Sequence, residues 1–237
     1  MESRGRFYRG QDPREVPLYS LAEAAHHLHV PPVTLRQWVA GRDYGVSGGV
    51  GHSAPLIHRP NPKDGRLSFN NLVEAHVLRA LRVRHHVSMQ HLRRALDYAQ
   101  SECRIGRLLI RSELMAAAGE LFLHEYGRLL NLGRAGQLAM EMILEKYLER
   151  VIRDTVDELP IRLYPFPAVE VESDRRIVTI DPGLSYGRPA IARKGISTAI
   201  LNERVNAGED VKDLAYYYDL SEEEVREALV YELPRAA

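Results

Sequence analysis

Two pairs of short helices, each pair joined by a tight turn, restrict the fold of this sequence more than any other feature. Ser20 and Glu23 have the spacing of a capping box, in which a serine and a glutamate satisfy two unpaired amides where a helix begins. The apolar residues that follow recur at the spacing of one helix face: Leu21, Ala24, Ala25 and Leu28. Pro31 and Pro32 then separate this helix from the next, because proline disfavours helical backbone before it and tolerates the first helical position. The sequence therefore predicts a helix-turn-helix.

The second helix of this pair is predicted to run from Val33 to about Ala40 and to end at Gly41. A rotation of about 100° per residue turns one set of side chains inward: Leu35, Trp38 and Val39. The same rotation turns a second set outward, with Arg36 on the flank: Val33, Gln37 and Ala40. In a helix-turn-helix, the outer face of the second helix is the one that can read DNA, so this helix is a candidate for DNA recognition.

A hairpin is predicted after this pair, in a stretch rich in glycine and proline. Residues 56–59 and 66–69 are short extended segments that flank an Asp-Gly turn. A hairpin at this place in the chain is a candidate wing.

These elements supply the candidate contacts to DNA. Arg36 is suited to guanine or a phosphate, Gln37 to adenine, and Thr34, at the helix start, to a phosphate oxygen. The remaining candidates are cations that would contact the backbone or the minor groove: Arg42, Arg59, Lys63 and Arg66. The alternative is that these charges form a solvated face.

The charges divide the chain into a basic part and an acidic part. Residues 1–111 carry 17 lysines and arginines against 9 acidic residues, and residues 112–237 carry 15 against 23. A polyanion is the partner suggested for the basic part, whereas mutual attraction of the two parts is the alternative. Further arginines at the N-terminus and after residue 78 are secondary candidates for phosphate contact: Arg4, Arg6, Arg9, Arg14, Arg79, Arg82, Arg84, Arg93 and Arg94.

The remainder of the chain predicts further helices and few strands. We expect helices from about 70 to 84 and from 88 to 101, a second hairpin around Tyr126 and Gly127, and a long amphipathic helix from Met140 to Val151. Residues 163–166 are expected to be a connector or edge strand, and residues 176–180 a short strand. Three short helices follow, starting at Ser197, Asp210 and Ser221.

The predicted fold class is α+β and predominantly α. The sequence divides into a flexible arm (1–17), a winged helix-turn-helix domain (18–103), a middle segment with a hairpin and a long helix (104–175), and a small trihelical helix-turn-helix domain (176–237).

Residues 18–100 resemble the MerR-type winged helix-turn-helix. The resemblance rests on Tyr19–Ala25, Thr34–Trp38, Leu67–Ala75 and Val87–Leu92. It implies a helix-turn-helix, a wing and a second helix pair in this order. The long Gly/Pro insertion before the wing departs from the family. The cysteine pair and terminal coiled coil of metal-sensing members are absent from the sequence, so metal sensing is not implied.

The C-terminal part resembles a small antitoxin-like helix-turn-helix domain. The resemblance rests on Ile180–Ile191, Ile196–Thr198, Ala207–Asp210 and Leu220–Leu229. The whole arrangement is similar to the large actinobacterial VapB-type antitoxins, which implies an autorepressor that binds operator DNA and neutralises a VapC-like PIN-domain ribonuclease. Many small VapB proteins instead have a short β-type DNA-binding domain and an unstructured tail, so their toxin-contact residues cannot be transferred.

Other function classes find little support in the sequence. There is no apolar run long enough for a membrane span and no secretory signal, so we expect a cytoplasmic protein. The single cysteine, Cys103, excludes an internal disulfide, and six histidines lack the partners of a metal site: His26, His27, His29, His85, His86 and His91. The stretch Gly183–Gly187 has the letters of a nucleophile elbow but is bounded by prolines. We therefore expect no catalytic site, metal or cofactor.

A homodimer is expected, because paired half-sites increase the affinity of such domains for DNA. The long helix is one candidate for its interface. Two alternatives to an antitoxin stay open. One is a MerR-like regulator that binds a small molecule and has no toxin. The other is an adaptor that does not bind DNA.

Overall fold

The computed structural model describes residues 10–46, 48–61, 63–82, 89–115, 117–129, 133–166 and 176–233. The helices in these ranges are α1 (Leu21–His27), α2 (Pro32–Ala40), α3 (Phe69–Arg82), α4 (Met89–Cys103), α5 (Ala117–Leu129), α6 (Arg134–Leu148), α7 (Thr198–Asn206), α8 (Val211–Tyr218) and α9 (Glu222–Glu232). The strands are β1 (Arg42–Val46), β2 (Gly49–Ser53), β3 (Val151–Arg153), β4 (Pro160–Leu163), β5 (Val178–Thr179) and β6 (Ala190–Ile191).

The strands form three small antiparallel sheets, each with two strands: β1 with β2, β3 with β4, and β5 with β6. Helices account for most of the remaining regular structure. The predicted fold class, α+β and predominantly α, is confirmed.

The predicted helix-turn-helix is confirmed, including its start and stop signals. The Glu23 N–H donates to the Ser20 hydroxyl at 3.2 Å, and the Ser20 N–H donates to the Glu23 carboxylate at 2.8 Å. His29 adopts a left-handed backbone conformation with φ of +49° in the turn that follows α1. Pro32 is the first residue of α2.

The predicted wing over residues 56–69 is wrong, and the hairpin lies earlier in the chain. β1 and β2 follow α2 directly, with Arg42 opposite Ser53 and Val46 opposite Gly49. The two segments expected to pair have other partners for their backbone groups. The N–H groups of Leu56 and Ile57 donate to the Trp38 carbonyl, and Leu67 pairs with Tyr19.

The second predicted hairpin is also wrong, because the residues around Gly127 lie in α5. Glu125 and Arg128 form an ion pair at 2.6 Å with the i, i+3 spacing of a helix. A Cβ atom on Gly127 would lie 2.8 Å from Cγ of Gln137 in α6. This glycine therefore permits close helix packing and does not mark a turn. Residues 130–132, the end of the predicted hairpin, lie outside the described residues.

The long amphipathic helix is confirmed, although it ends earlier than predicted. α6 stops at Leu148, and Val151 begins β3. Leu144, Tyr147 and Leu148 are buried on its inner face. The predicted connector contributes Leu163 to β4, and this residue also pairs with Ile180.

The C-terminal trihelical unit is confirmed, and it packs against the first helix-turn-helix. Asp210 caps α8 through its side chain, and Ser221 and Glu224 form a capping box at α9. Its buried apolar side chains form a cluster separate from the larger core. Tyr231 of α9 donates its hydroxyl to the His27 carbonyl at 3.0 Å.

None of the helices in the described ranges is both long enough and apolar enough to cross a membrane.

Candidate nucleic-acid interface

The outer face of α2 is the centre of the candidate interface. Leu35 and Trp38 are 0% and 1% exposed, so they fix the inner face of the helix against the core. Val33 is 66% exposed and Arg36 is also exposed, whereas Thr34 and Gln37 are half-buried. The structure therefore leaves Arg36 exposed and Thr34 and Gln37 partly exposed around the outer face of α2.

The C-terminal end of α2 is held in place by two backbone contacts. The Trp38 carbonyl accepts hydrogen bonds from the N–H groups of Leu56 at 2.8 Å and Ile57 at 3.0 Å. These bonds satisfy a carbonyl that the end of the helix leaves without an intrahelical partner. The helix that carries the candidate base contacts is therefore fixed at the end next to the hairpin.

Gly41 joins α2 to the hairpin at a point where no side chain fits. Its φ is +79°, and a Cβ atom there would lie 2.0 Å from the Ser53 carbonyl oxygen. Glycine is the residue that tolerates both the left-handed conformation and the close approach. It brings the first residue of β1, Arg42, directly beside the end of α2.

The hairpin itself is exposed and carries two polar groups that face each other. His52 Nδ1 lies 2.7 Å from Oδ1 of Asp43 across the two strands. The Tyr44 ring lies over Gly51, where a Cβ atom would be 2.8 Å from the ring. The hairpin formed by Arg42–Ser53 was not predicted from the sequence. The signal was available in Ser47 and Gly48, two turn-forming residues between valine-containing segments.

The structure separates the predicted wing cations from the hairpin. Arg59, Lys63 and Arg66 lie on the irregular segment between Ile57 and Leu67. Arg66 is 3.6 Å from Asp64, an ion pair between largely exposed groups. Four cations were predicted to lie on the wing or just after α2. Of these four, Arg42 alone lies in the observed hairpin.

The candidate contact residues on α2 and at the start of β1 are available to a partner. Among the described residues, the side chains of Arg36, Gln37 and Arg42 have no hydrogen-bond or ion-pair partner. The C-terminal unit contacts α1 through Tyr231 and does not cover Arg36, which stays exposed.

Several of the secondary basic candidates have structural roles. Arg79 donates to the Leu28 carbonyl at 2.9 Å, and Arg93 donates to the carbonyls of Ala54 and Pro55. Arg93 thereby braces the segment that follows the hairpin. Arg94 is exposed, and the side chains of Arg82 and Arg84 lie outside what the structure describes.

The predicted N-terminal arm is only partly described. Arg14 forms ion pairs with Asp12 at 2.8 Å and with Asp157 at 2.7 Å, which raise its pKa. A guanidinium held by two carboxylates is not a free contact to DNA, so the prediction for Arg14 is wrong. Arg4, Arg6 and Arg9 lie outside the described residues.

The histidines of α1 and the following turn surround Tyr231 of α9. The ring centroids of His26, His27 and His29 lie 6.3, 6.4 and 5.5 Å from that of Tyr231. Burial lowers the pKa of His27 to about 4. The described residues contain no group of three histidine, cysteine or acidic side chains arranged to hold a metal ion. His85 and His86 lie outside them.

Two family models match this chain. Residues 17–96 match a family described as "Putative DNA-binding HTH domain". This range contains α2 and the hairpin. Residues 178–231 match a family described as "Protein of unknown function (DUF433)", which includes the C-terminal trihelical unit.

A curated protein and a crystal structure, both from Mycobacterium tuberculosis, are similar to nearly the whole chain. "Putative antitoxin VapB45" is 28% identical over 232 residues, which cover 91% of this chain and 93% of the relative. The crystal structure of Rv2018 is 26% identical with a TM-score of 0.64, and the alignment covers 90% of this chain and 98% of that one. The predicted resemblance to a VapB-type antitoxin is thus confirmed: across most of its length, this chain is similar to a protein named "Putative antitoxin VapB45".

Proposed function

We propose that this chain is an antitoxin that binds operator DNA and neutralises a VapC-like PIN-domain ribonuclease. The observation that carries the DNA-binding part is the open face of α2, where Arg36 is exposed and unpaired among the described residues. The similarity to a protein named as an antitoxin supports the toxin-binding part. These two partners would meet the chain in the cytoplasm.

The side chains of α2 match the groups in the major groove. Arg36 has the donors for guanine or a phosphate, and Gln37 has the donor and acceptor for adenine. Val33 offers an apolar contact to a thymine methyl group. Thr34, near the start of α2, and Arg42, at the start of β1, would contact phosphate. Arg59, Lys63 and Arg66 lie on a separate loop and would supply further contacts to the DNA backbone.

A homodimer fits this use of the helix-turn-helix. A twofold dimer presents two copies of α2 to two half-sites about one turn of DNA apart. The exposed apolar side chains of α6, Leu138 at 52% and Met142 at 61%, are one surface through which two copies would associate.

Co-expression tests the toxin partner. The proposal expects a gene for a PIN-domain ribonuclease beside the gene of this chain, and the two proteins are produced together in cells whose growth that ribonuclease arrests. Restored growth and a co-purified complex support an antitoxin. Continued arrest with both proteins present at normal levels would contradict it.

A mobility shift on the DNA upstream of the gene tests the DNA partner. We expect retardation at low salt that weakens as salt rises, because contacts to phosphate release counterions. Absence of retardation at low salt would leave the adaptor as the better account.

A cavity favours the MerR-like regulator as the second candidate. It has a volume of about 340 Å³ and lies between α4 and the segment that reaches Leu56, whose N–H binds the Trp38 carbonyl. A small molecule there would touch the segment that fixes the end of α2. Retarded DNA without growth rescue, together with a change in DNA affinity on adding a cell metabolite extract, would support this candidate over the antitoxin.

A further inference from the structure

Two adjacent tyrosines of α8 extend into solvent. Tyr216 is 92% exposed and Tyr217 is 71% exposed, whereas Leu214 and Ala215 on the opposite side of the helix are buried. Tyrosine and tryptophan are enriched where protein surfaces bind each other, since a ring contributes a large area with few rotatable bonds. Neither the fold nor the candidate DNA interface accounts for these two rings.

The Tyr217 ring is held in place before any partner arrives. The Arg204 guanidinium carbon lies 4.8 Å from the centroid of Tyr217 and 5.2 Å from that of Tyr218. Arg204 also donates to the Tyr218 hydroxyl at 2.8 Å, and Glu209 accepts from its Nε at 2.6 Å. A surface fixed in this way loses less conformational entropy when it binds.

The charges near these tyrosines favour a basic partner. Exposed acidic residues lie on α7 and at the start of α8: Glu203, Asp210 and Asp213. They outnumber the one exposed lysine there, Lys212, whereas Glu209 is paired with Arg204. Residues 176–233 contain 11 acidic residues against 7 lysines and arginines. Complementary charge steers association and selects partners, so a basic protein surface suits this face.

The C-terminal trihelical unit is poorly suited to bind DNA, although α8, a turn and α9 follow one another as in a helix-turn-helix. The helix that would enter the groove is α9, and its first turn consists of Glu222, Glu223 and Glu224. These carboxylates disfavour contact with the phosphate backbone, although Arg226 and Arg193 pair with Glu222 and Glu224. The first helix-turn-helix has no acidic residue in the first turn of α2.

We propose that the face of α8 bearing Tyr216 and Tyr217 is the surface to which the toxin binds, through a basic region of the toxin. This inference rests on the proposed function, since it assumes that the chain has a toxin partner. The polar contacts with the first helix-turn-helix involve Tyr231 of α9 and the Gly187 carbonyl and not α8, so the exposed tyrosines of α8 are open while the two units are packed together.

The test compares variants of the full chain in binding to an inactive form of the PIN-domain ribonuclease from the adjacent gene. The double variant Tyr216→Ala, Tyr217→Ala removes both rings. The control, Tyr98→Ala, removes a tyrosine that is 41% exposed on α4. A third variant, Asp213→Lys, reverses one exposed charge. Affinity for the ribonuclease, affinity for upstream DNA and the thermal midpoint are measured for each.

We expect the double variant to bind the ribonuclease at least tenfold more weakly, with DNA affinity within twofold of the wild type. Asp213→Lys should slow association, and Tyr98→Ala should change neither affinity. Wild-type affinity for the ribonuclease in the double variant would overturn this inference alone. A selective loss of DNA binding would overturn it in favour of a nucleic-acid contact. Failure of the wild-type chain to bind the ribonuclease would instead overturn the proposed function.

Discussion

Two histidines, the buried His76 and the half-buried His27, make the folded chain sensitive to mild acid. Burial lowers the pKa of His27 to about 4 and that of His76 to about 3. The unfolded chain titrates these side chains near pH 6.5, so between pH 6.5 and 4 it binds protons that the folded chain excludes. The free energy of unfolding should therefore fall by about 1 kcal/mol per histidine between pH 7.5 and 5.5.

Urea unfolding at the two pH values measures this loss. In the variant His27→Gln, His76→Gln, the difference between pH 7.5 and 5.5 should shrink by about 2 kcal/mol, whatever its absolute stability. An equal difference in the variant and the wild type would show that these histidines are not the cause.

The orientation of individual residues of the candidate site could be predicted from the sequence wherever helical periodicity applies. Leu35 and Trp38 predicted the inner face of α2, and the structure leaves Arg36 on the open side. Periodicity does not report tertiary partners. The pairing of Arg14 with Asp157, 143 residues away, therefore could not be predicted.

At the level of elements, the junction between α2 and β1 depends on Gly41. Gly41→Ala would place Cβ 2.0 Å from the Ser53 carbonyl in a backbone with φ of +79°. We expect the free energy of unfolding to fall by about 1–3 kcal/mol or more, because the strand or the helix end must move. DNA binding should weaken as well, since the hairpin lies beside the candidate contact helix.

Gly45→Ala is the matched control in the same hairpin. A Cβ atom at Gly45 meets nothing within 4 Å. Its effect on the free energy of unfolding should stay within about 0.5 kcal/mol. Chemical denaturation of both variants checks the pair, and similar losses at the two glycines would contradict the role given to Gly41.

The elements that the sequence predicted correctly are those with local signals. Capping boxes at Ser20 and Ser221 and the long apolar stripe of α6 are all encoded within a few residues. The two hairpin errors arose where glycine has more than one use. Gly127 is a helix packing position against Gln137, and the Asp-Gly turn at residues 64–65 joins segments that pair elsewhere.

At the scale of the whole molecule, the two helix-turn-helix units are joined by one buried and one partly buried hydrogen bond. The Tyr231 hydroxyl donates to the His27 carbonyl at 3.0 Å, and the Tyr19 hydroxyl donates to the Gly187 carbonyl at 2.7 Å. Each bond satisfies a donor and an acceptor that burial would otherwise leave unpaired. The acidic C-terminal unit is thereby packed against the basic N-terminal one.

Tyr231→Phe removes one of these bonds without changing the size of the ring by much. We expect a loss of about 1–2 kcal/mol in the free energy of unfolding, because the His27 carbonyl loses its donor in a partly buried site. Tyr216→Phe is the control, since Tyr216 is 92% exposed. If denaturant unfolding gives the same stability for both variants, the contact does not join the two units.

The affinity of the chain for its upstream DNA, measured by fluorescence anisotropy at several salt concentrations, tests the central claim most directly. The claim is that the open face of α2 reads the operator. We predict that Arg36→Ala and Gln37→Ala each weaken binding by about 1–3 kcal/mol if they contact bases, or that Arg36→Ala lowers the salt slope by about one if it contacts a phosphate. Binding of both variants with wild-type affinity and wild-type salt slope would contradict it.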